Sequence, residues 1–221
     1  IGDTAGPIAA QPWFVQRLRA ALKVVPAAKT IVAIGNYAYD WTDGATSADT
    51  LSIEDAWLSA HDSGATIRFD PASGNASFDY QQDGRVHHVW MLDAASGWNQ
   101  IRAARLAGTG GIALWRLGSE DPGFWSALRQ RDAVPPVAMG QLTSFNSVDV
   151  EGNGEILRID DVPTIGHRTI AMGSGRTAGL ITDEHFASLP THYVIRRTGY
   201  RPHEVALTFD DGPDPTWTPP I

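Results

Sequence analysis

Cysteine is absent from the 221 residues. That excludes a disulfide framework, a thiolate zinc cluster and a thiol nucleophile, and it leaves the redox compartment open. Long hydrophobic runs are also missing, and none approaches the roughly 20 apolar residues that a bilayer span requires. No basic block occurs: 17 Lys+Arg stand against 25 Asp+Glu, for a formal net charge of −8. This balance argues against a phosphate-backbone partner, so no nucleic-acid ligand is expected. Charged residues make up only 19% of the chain, too few for charge-driven disorder. No internal repeat or low-complexity tract is visible. Residue 1 is Ile, no charged and apolar leader follows, and a dense polar cluster lies only a few residues before Ile221. The expectation is a piece cut from a longer protein at both ends. What the chain does have is length enough for a substantial core and 8 Trp, a surplus for which sugar-binding clefts are one common use.

Along the chain, Phe14, Leu18, Ala21, Leu22 and Val25 recur at helical spacing over 11–25, and Pro26 closes that helix. Lys29 to Gly35 is a short apolar run, the pattern of a strand buried on both faces, and it opens into the aromatic cluster Tyr37, Tyr39 and Trp41. A helix is predicted from about Ser52 to His61, with Ser52 as N-cap and Asp55 at its third position. Strands are predicted at 66–69, 77–80 and 85–91, a helix over 93–106, a second buried strand over 112–115 and a short helix over 124–129. Apolar strands alternating with helices are the grammar of a parallel α/β sheet or barrel. Beyond Pro135-Pro136 the segments become short, β-branched and broken by Gly, which predicts a small β-rich module. Glu204 to Phe209 reads as a final apolar strand.

That strand runs into Asp210-Asp211-Gly212-Pro213-Asp214-Pro215, at the carboxyl end where α/β folds place their sites. Adjacent carboxylates in extended backbone point to different sides. One can coordinate a divalent ion while the other accepts a proton from a metal-bound water. The plain alternative is a solvated turn. Two other signals carry less. His87 and His88 are neighbours in a predicted strand and face opposite ways, so they do not chelate one ion. Gly152-Asn153-Gly154-Glu155 precedes a strand, so it is a turn and not a phosphate loop.

Val205 to Pro215 resembles the first motif of the nodulation-type polysaccharide deacetylases. That resemblance implies Asp210 as general base and Asp211 as ligand of a divalent metal, zinc or similar, in a complete deacetylase domain. The family's two metal-binding histidines sit four residues apart, and no such pair occurs in this chain, so no metal is expected to bind well here. The likeness covers about the last twenty residues.

A longer resemblance covers the N-terminal half. Gly6 to Ala9 with Trp13-Phe14, Lys29 to Trp41, His88 to Trp90 and Gly111 to Pro122 resemble the C-terminal third of family-18 glycoside hydrolases. Those are (β/α)8 barrels that act on N-acetylglucosamine polymers. The likeness implies that 30–35 is the seventh barrel strand and 112–115 the eighth, with an α+β insertion at about 51–91. It implies that Trp115 floors the sugar subsite at the cleavage point, where a pyranose face stacks on the indole. Tyr37, Tyr39 and Trp41 would then stand at the rim of the same cleft. The family's Asp-x-x-Asp-x-Asp-x-Glu acid motif is not found in this sequence, and Glu54-Asp55 and Glu120-Asp121 read as helix-start carboxylates. The family works by substrate assistance, outside the two-carboxylate scheme.

The expected fold is α/β: the C-terminal portion of a (β/α)8 barrel with an α+β insertion (1–130), a small β-rich connector module (131–200) and the start of a deacetylase domain (201–221). The expected function is that of part of an envelope or extracellular protein acting on N-acetylglucosamine polysaccharide or oligosaccharide, itself inactive. The alternative is a non-catalytic carbohydrate-binding or scaffolding module.

Overall fold

The computed structural model describes residues 4–144, 147–205, 207–208, 210, 212–216 and 218–219. Helix α1 (Gln11–Ala21) starts with proline in its first turn and turns Phe14 and Leu18 inward, as the helical spacing predicts. It stops four residues short of the predicted end, and a 3-10 turn (Ala27–Lys29) leads into strand β1 (Ile31–Gly35). β1 runs parallel to the later strand Gly111–Trp115 in a register that places Ile34 beside Leu114 and Gly35 beside Trp115. Two adjacent parallel strands are what consecutive strands of a barrel would give. No closed barrel is present among the described residues: β1 and its partner form a two-stranded sheet, and Ile31 at its start is 69% exposed.

Between them lies an antiparallel sheet of β2 (Ala38–Thr42), β3 (Asp49–Leu51), β4 (Arg68–Asp70), β5 (Asn75–Gln82) and β6 (Arg85–Met91), in spatial order β3-β2-β6-β5-β4. It begins at Ala38, well before the expected start at about residue 51. The run Asn36–Trp41 has little aliphatic character, and long-range pairing makes it a strand: Tyr39 lies opposite Trp90 and Trp41 opposite His88. Helix α2 (Ile53–Ser63) covers one face. Its start is a capping box in which Ser52 and Asp55 satisfy each other's backbone N–H, and Gly64 ends it in the left-handed conformation. Ile53, Ala56, Trp57 and Ala60 pack on Ala38, Phe78, Val89 and Met91.

Helix α3 (Ala94–Leu106) follows, N-capped by Asp93, whose carboxylate accepts from the Ala95 and Ser96 N–H groups at 3.0 and 3.1 Å. Strand β7 (Gly111–Trp115) and helix α4 (Gly123–Arg129) complete the first part. The expected connector contains β8 (Gln141–Leu142), β9 (Val148–Gly152), β10 (Ile156–Asp161), β11 (Gly166–Met172), β12 (Ile181–Ser188) and β13 (Tyr193–Thr198). These make two sheets, β12-β11-β8 and β10-β13-β9. The first shares the core of the N-terminal part: Leu142 joins the α2 cluster, and Met139 and Ile181 join Ile34, Trp98 and Phe124. The second sheet is largely exposed. The predicted strand over 204–209 is a correction: none of its described residues is in a strand, and Val205 and Leu207 are 93% and 83% exposed. An isolated apolar string has no ladder to join, and no strand pairs with it among the described residues.

Arg168 of β11 is the fastening between the first sheet and the rest. Its side chain is fully buried, and its guanidinium meets Asp121 at 2.5 Å, Asp93 at 3.3 Å and Glu184 at 3.4 Å. Its Nε donates to the Met139 carbonyl at 2.7 Å, and its face lies 5.9 Å from the Trp57 ring and 6.0 Å from Phe186. Asp121 also accepts from the Ala94 and Gly123 N–H groups. Burial pushes the Asp121 carboxyl pKa up, against the pull of Arg168. Glu184 is pushed well up, first by burial and then by the charge of Asp93.

Removing the cation leaves buried carboxylates uncompensated, so Arg168→Met is expected to cost about 3–5 kcal/mol in urea unfolding. For Glu184 the folded pKa lies above the unfolded one, so its contribution is full below the unfolded value and is lost as pH rises through the folded one. Glu184→Gln is therefore expected to flatten the fall in stability on the alkaline side. It should gain most at high pH and nothing in acid, as read from urea midpoints across the pH range.

Candidate sugar-binding site

The carboxyl ends of β1 and β7 meet at Gly35 and Trp115. Gly35 is required there, because a Cβ at this position would lie 2.7 Å from the Tyr37 ring. The next residue, Asn36, is buried and holds both strand ends. Its N–H donates to the Trp115 carbonyl at 2.9 Å, its Nδ2 to the Asp93 carbonyl at 2.7 Å, and its Oδ1 accepts from the Asp121 N–H at 2.6 Å. The Ser119 hydroxyl closes the loop by donating to the Asn36 carbonyl at 2.9 Å. A rigid strand end thus presents Trp115, 66% exposed, beside a recess of about 220 Å³ shared with Tyr37, Tyr39, Thr50 and Arg116.

On the other side of the two tyrosines lies a wider groove of about 580 Å³ walled by Ile8, Ala10, Trp13 and Trp41. The rings form an edge-to-face chain, Tyr37 to Tyr39 at 5.2 Å and Tyr39 to Trp41 at 5.5 Å, the arrangement aromatic quadrupoles favour. Burial, then Tyr39, pushes the Tyr37 phenol up to about 12, so it remains a neutral donor at physiological pH. Trp41 is only 8% exposed and packs with Ile8, Ala48 and Leu92. The structure thus brings Trp115, Tyr37 and Tyr39 to one opening, with Trp41 as the packed back of the neighbouring groove.

The opposite face of the sheet is structural. There Asp40 accepts from the Tyr80 hydroxyl at 2.7 Å and pairs with His87 at 3.0 Å. Burial, then the hydrogen bond to Asp40, holds the Tyr80 phenol well above its ordinary value. His88 points the other way, to Asp79 at 2.7 Å and Asp43 at 3.3 Å. The two histidines diverge, as the pleat predicts. Glu54 and Asp55 sit in the first turn of α2. Asp121 accepts from the first N–H of α4 and also carries the Arg168 contact, whereas Glu120 accepts from the Gly118 N–H and the Trp125 indole.

Asp210 is exposed in a bend, and Asp211 lies outside the described residues. Among the described residues no group of three His, Asp or Glu side chains converges as metal ligands.

The chain resembles the cortical fragment-lytic enzyme of Bacillus subtilis, 32% identical over 113 residues, which are 49% of this chain and 26% of that protein. It also resembles the uncharacterized glycosylase YvbX of the same organism, 29% identical over 128 residues, 57% of this chain and 37% of the other. Among solved structures it is similar to a chitinase from Chromobacterium violaceum, with 33% identity and a TM-score of 0.54 over 58% of this chain and 41% of that one. The spore cortex-lytic enzyme SleL of Bacillus megaterium gives 26% identity and a TM-score of 0.53, over 57% and 30%. About half of this chain is related to family-18 chitinase-like and cortex-lytic glycosylases. No protein-family model matches. The chain spans about a quarter to two fifths of the length of these relatives. The comparisons give no support to the deacetylase reading of 201–221.

In this glycosidase-like region, sequence reasoning missed Asn36, Thr50 and Arg116. Asn36 had one signal, a polar residue at the point where a buried apolar strand ends. Thr50 and Arg116 had none, because their place at the recess depends on pairing between distant strands. Asn36→Ala leaves the buried Asp121 N–H without its partner, while the Asp93 carbonyl keeps the Gly97 N–H. It is expected to cost about 1–3 kcal/mol in thermal or urea unfolding.

Proposed function

We propose that this chain is the sugar-binding C-terminal part of a family-18-type glycosidase that acts on β-linked N-acetylglucosamine polysaccharide of the cell envelope or outside the cell. The observation that carries the reading is Trp115, a 66% exposed indole at the carboxyl end of a parallel strand, flanked by Tyr37 and Tyr39. A pyranose ring stacks on such a surface, while Tyr hydroxyls and the Arg116 guanidinium serve its polar rim. The names of the relatives, a cortical fragment-lytic enzyme and a chitinase, point to the same acetamido sugars. Tyr37, Tyr39 and Trp41 extend the surface away from the cleavage-point subsite that Trp115 would floor.

The acid motif that protonates the leaving oxygen in such enzymes is not in these 221 residues, so the chain by itself binds glycan and does not cleave it. This favours a second reading for the chain taken alone, a non-catalytic carbohydrate-binding module. For residues 201–221 we propose the start of a polysaccharide deacetylase domain. In a complete domain Asp210 would act as base and Asp211 would hold the divalent metal, zinc or similar, on a substrate with the same acetamido group.

Titrating the chain with N-acetylglucosamine oligomers is expected to change tryptophan emission saturably. Trp115→Ala is expected to weaken that binding about tenfold, close to 1.4 kcal/mol. No reducing ends should appear in a chitooligosaccharide assay with the 221-residue chain. An unchanged emission spectrum, or equal affinity in the variant, sinks the reading.

A further inference from the structure

A second groove lies away from the aromatic recess, between α1, α3 and the loop that joins β11 to β12. It has a volume of about 410 Å³ and an apolar floor that includes Val15, Leu18 and Leu180. Its rim carries Arg19, Arg102 and Arg176, and no carboxylate lines it. Along α1 it continues into a shallower channel that adds Lys23, again without an acidic residue. The concentration of cations is unusual in a chain of net charge −8. Arg168, Arg196 and Arg197 lie elsewhere, each beside a carboxylate. Arg19, Lys23, Arg102 and Arg176 have no ion pair among the described residues.

The groove is built and not merely charged. Trp98 Nε1 donates to the Gly179 carbonyl at 3.0 Å. Asn99 makes a two-way bond with the Ile181 backbone, at 2.9 and 2.8 Å. These bonds fasten the β11–β12 loop to α3 and bring Arg176 over the groove. The Arg102 guanidinium is held 5.8 Å from the Trp98 ring and presses on Gly179, where φ is +83° and an added Cβ would lie 2.5 Å from the guanidinium. Its Nε is buried without a hydrogen-bond partner, and so is Oε1 of the neighbouring Gln11. Packing, and not a carboxylate, therefore holds this guanidinium in place, so its charge is left without an acidic partner at the groove. The like charge is felt beyond the groove: the Arg105 pKa is lowered, first by burial and then by Arg131 and Arg102.

We propose that this groove binds an oxyanion, a carboxylate or phosphate group, through Arg19, Arg102 and Arg176. The planar guanidinium fork matches such groups in a bidentate way. The apolar floor would seat the chain that carries the anion, and the Lys23 channel would take a second charge along a polymer. The site is independent of the aromatic recess and does not rest on the proposed sugar reading.

The test titrates the 221-residue chain by calorimetry at low ionic strength with two probes, inorganic phosphate and an oligoglucuronate. Saturable binding of at least one probe is expected, weakening as salt is added. Binding of phosphate alone identifies a phosphorylated source, and binding of oligoglucuronate alone a carboxylated glycan. In the double variant Arg19→Glu/Arg176→Glu, both positions being exposed, affinity is expected to fall about tenfold or more, equivalent to 1.4 kcal/mol or more. Circular dichroism and the N-acetylglucosamine-oligomer titration of the same variant should match wild type. The proposal is overturned if neither anion binds, or if both bind the double variant as tightly as wild type.

Discussion

A buried guanidinium cannot be left alone, and that constraint organises this molecule. Arg168 is fully enclosed, and each of its contacts comes from a different part of the chain: the N-cap of α3, the residue that opens α4, strand β12 and the Met139 carbonyl. Its flat faces reach Trp57 of the α2 core and Phe186 of β12. One positive charge against three carboxylates is unbalanced unless a carboxyl holds its proton. Glu184, its oxygens buried without a well-formed hydrogen bond, is the group that burial and Asp93 push in that direction. Such an ionic cluster is weak as a source of net stability, because desolvation offsets most of the attraction. Its strength lies in what it forbids: the sheet β12-β11-β8 cannot move away from α3 and α4 without exposing a set of charges that have no other partners.

The candidate site inherits this rigidity. Asp121 and Asp93, which bind Arg168, are also bonded to Asn36 through their backbone groups. Asn36 in turn holds the Trp115 carbonyl. Hydrogen bonds to the side chains and backbones of Asp93 and Asp121 thus link the buried cation to Asn36 and through it to the backbone of Trp115. The two faces of the antiparallel sheet divide the remaining work. Asp40, Tyr80 and His87 lock the strands on the inner face, which leaves Tyr39 free on the outer one to line the recess.

Much of this could be read from the sequence because it is local. The Ser52 cap with Asp55 at the third position, the helix over 93–106 and the apolar runs at 29–35 and 112–115 each follow from neighbours in the chain, and the structure has them within two residues of where residue pattern put them. Strand β2 was not legible, since Tyr39 and Trp41 become strand residues only through Trp90 and His88 some fifty positions away. The Arg168 cluster was invisible for a similar reason: its members are separated by up to 91 residues, and an arginine in a β-branched segment gives no sign of burial. The apolar run at 204–209 shows the reverse case, a strand-like pattern whose described residues find no partner strand. Trp115 was found through a family resemblance and the aromatic signal at a strand end, which geometry then placed beside Tyr37 and Tyr39.

Through Arg168, the sheet β12-β11-β8 and the parallel strands β1 and β7 form one cooperative core. Native-state amide hydrogen exchange tests it most directly. The protected amides of β11 and β12 are expected to share one opening free energy with those of α3 and β7, near the value for global unfolding. If β11 and β12 instead exchange through a separate, lower-energy opening while α3 and β7 stay protected, the sheet is only a tethered module and Arg168 does not unite the core.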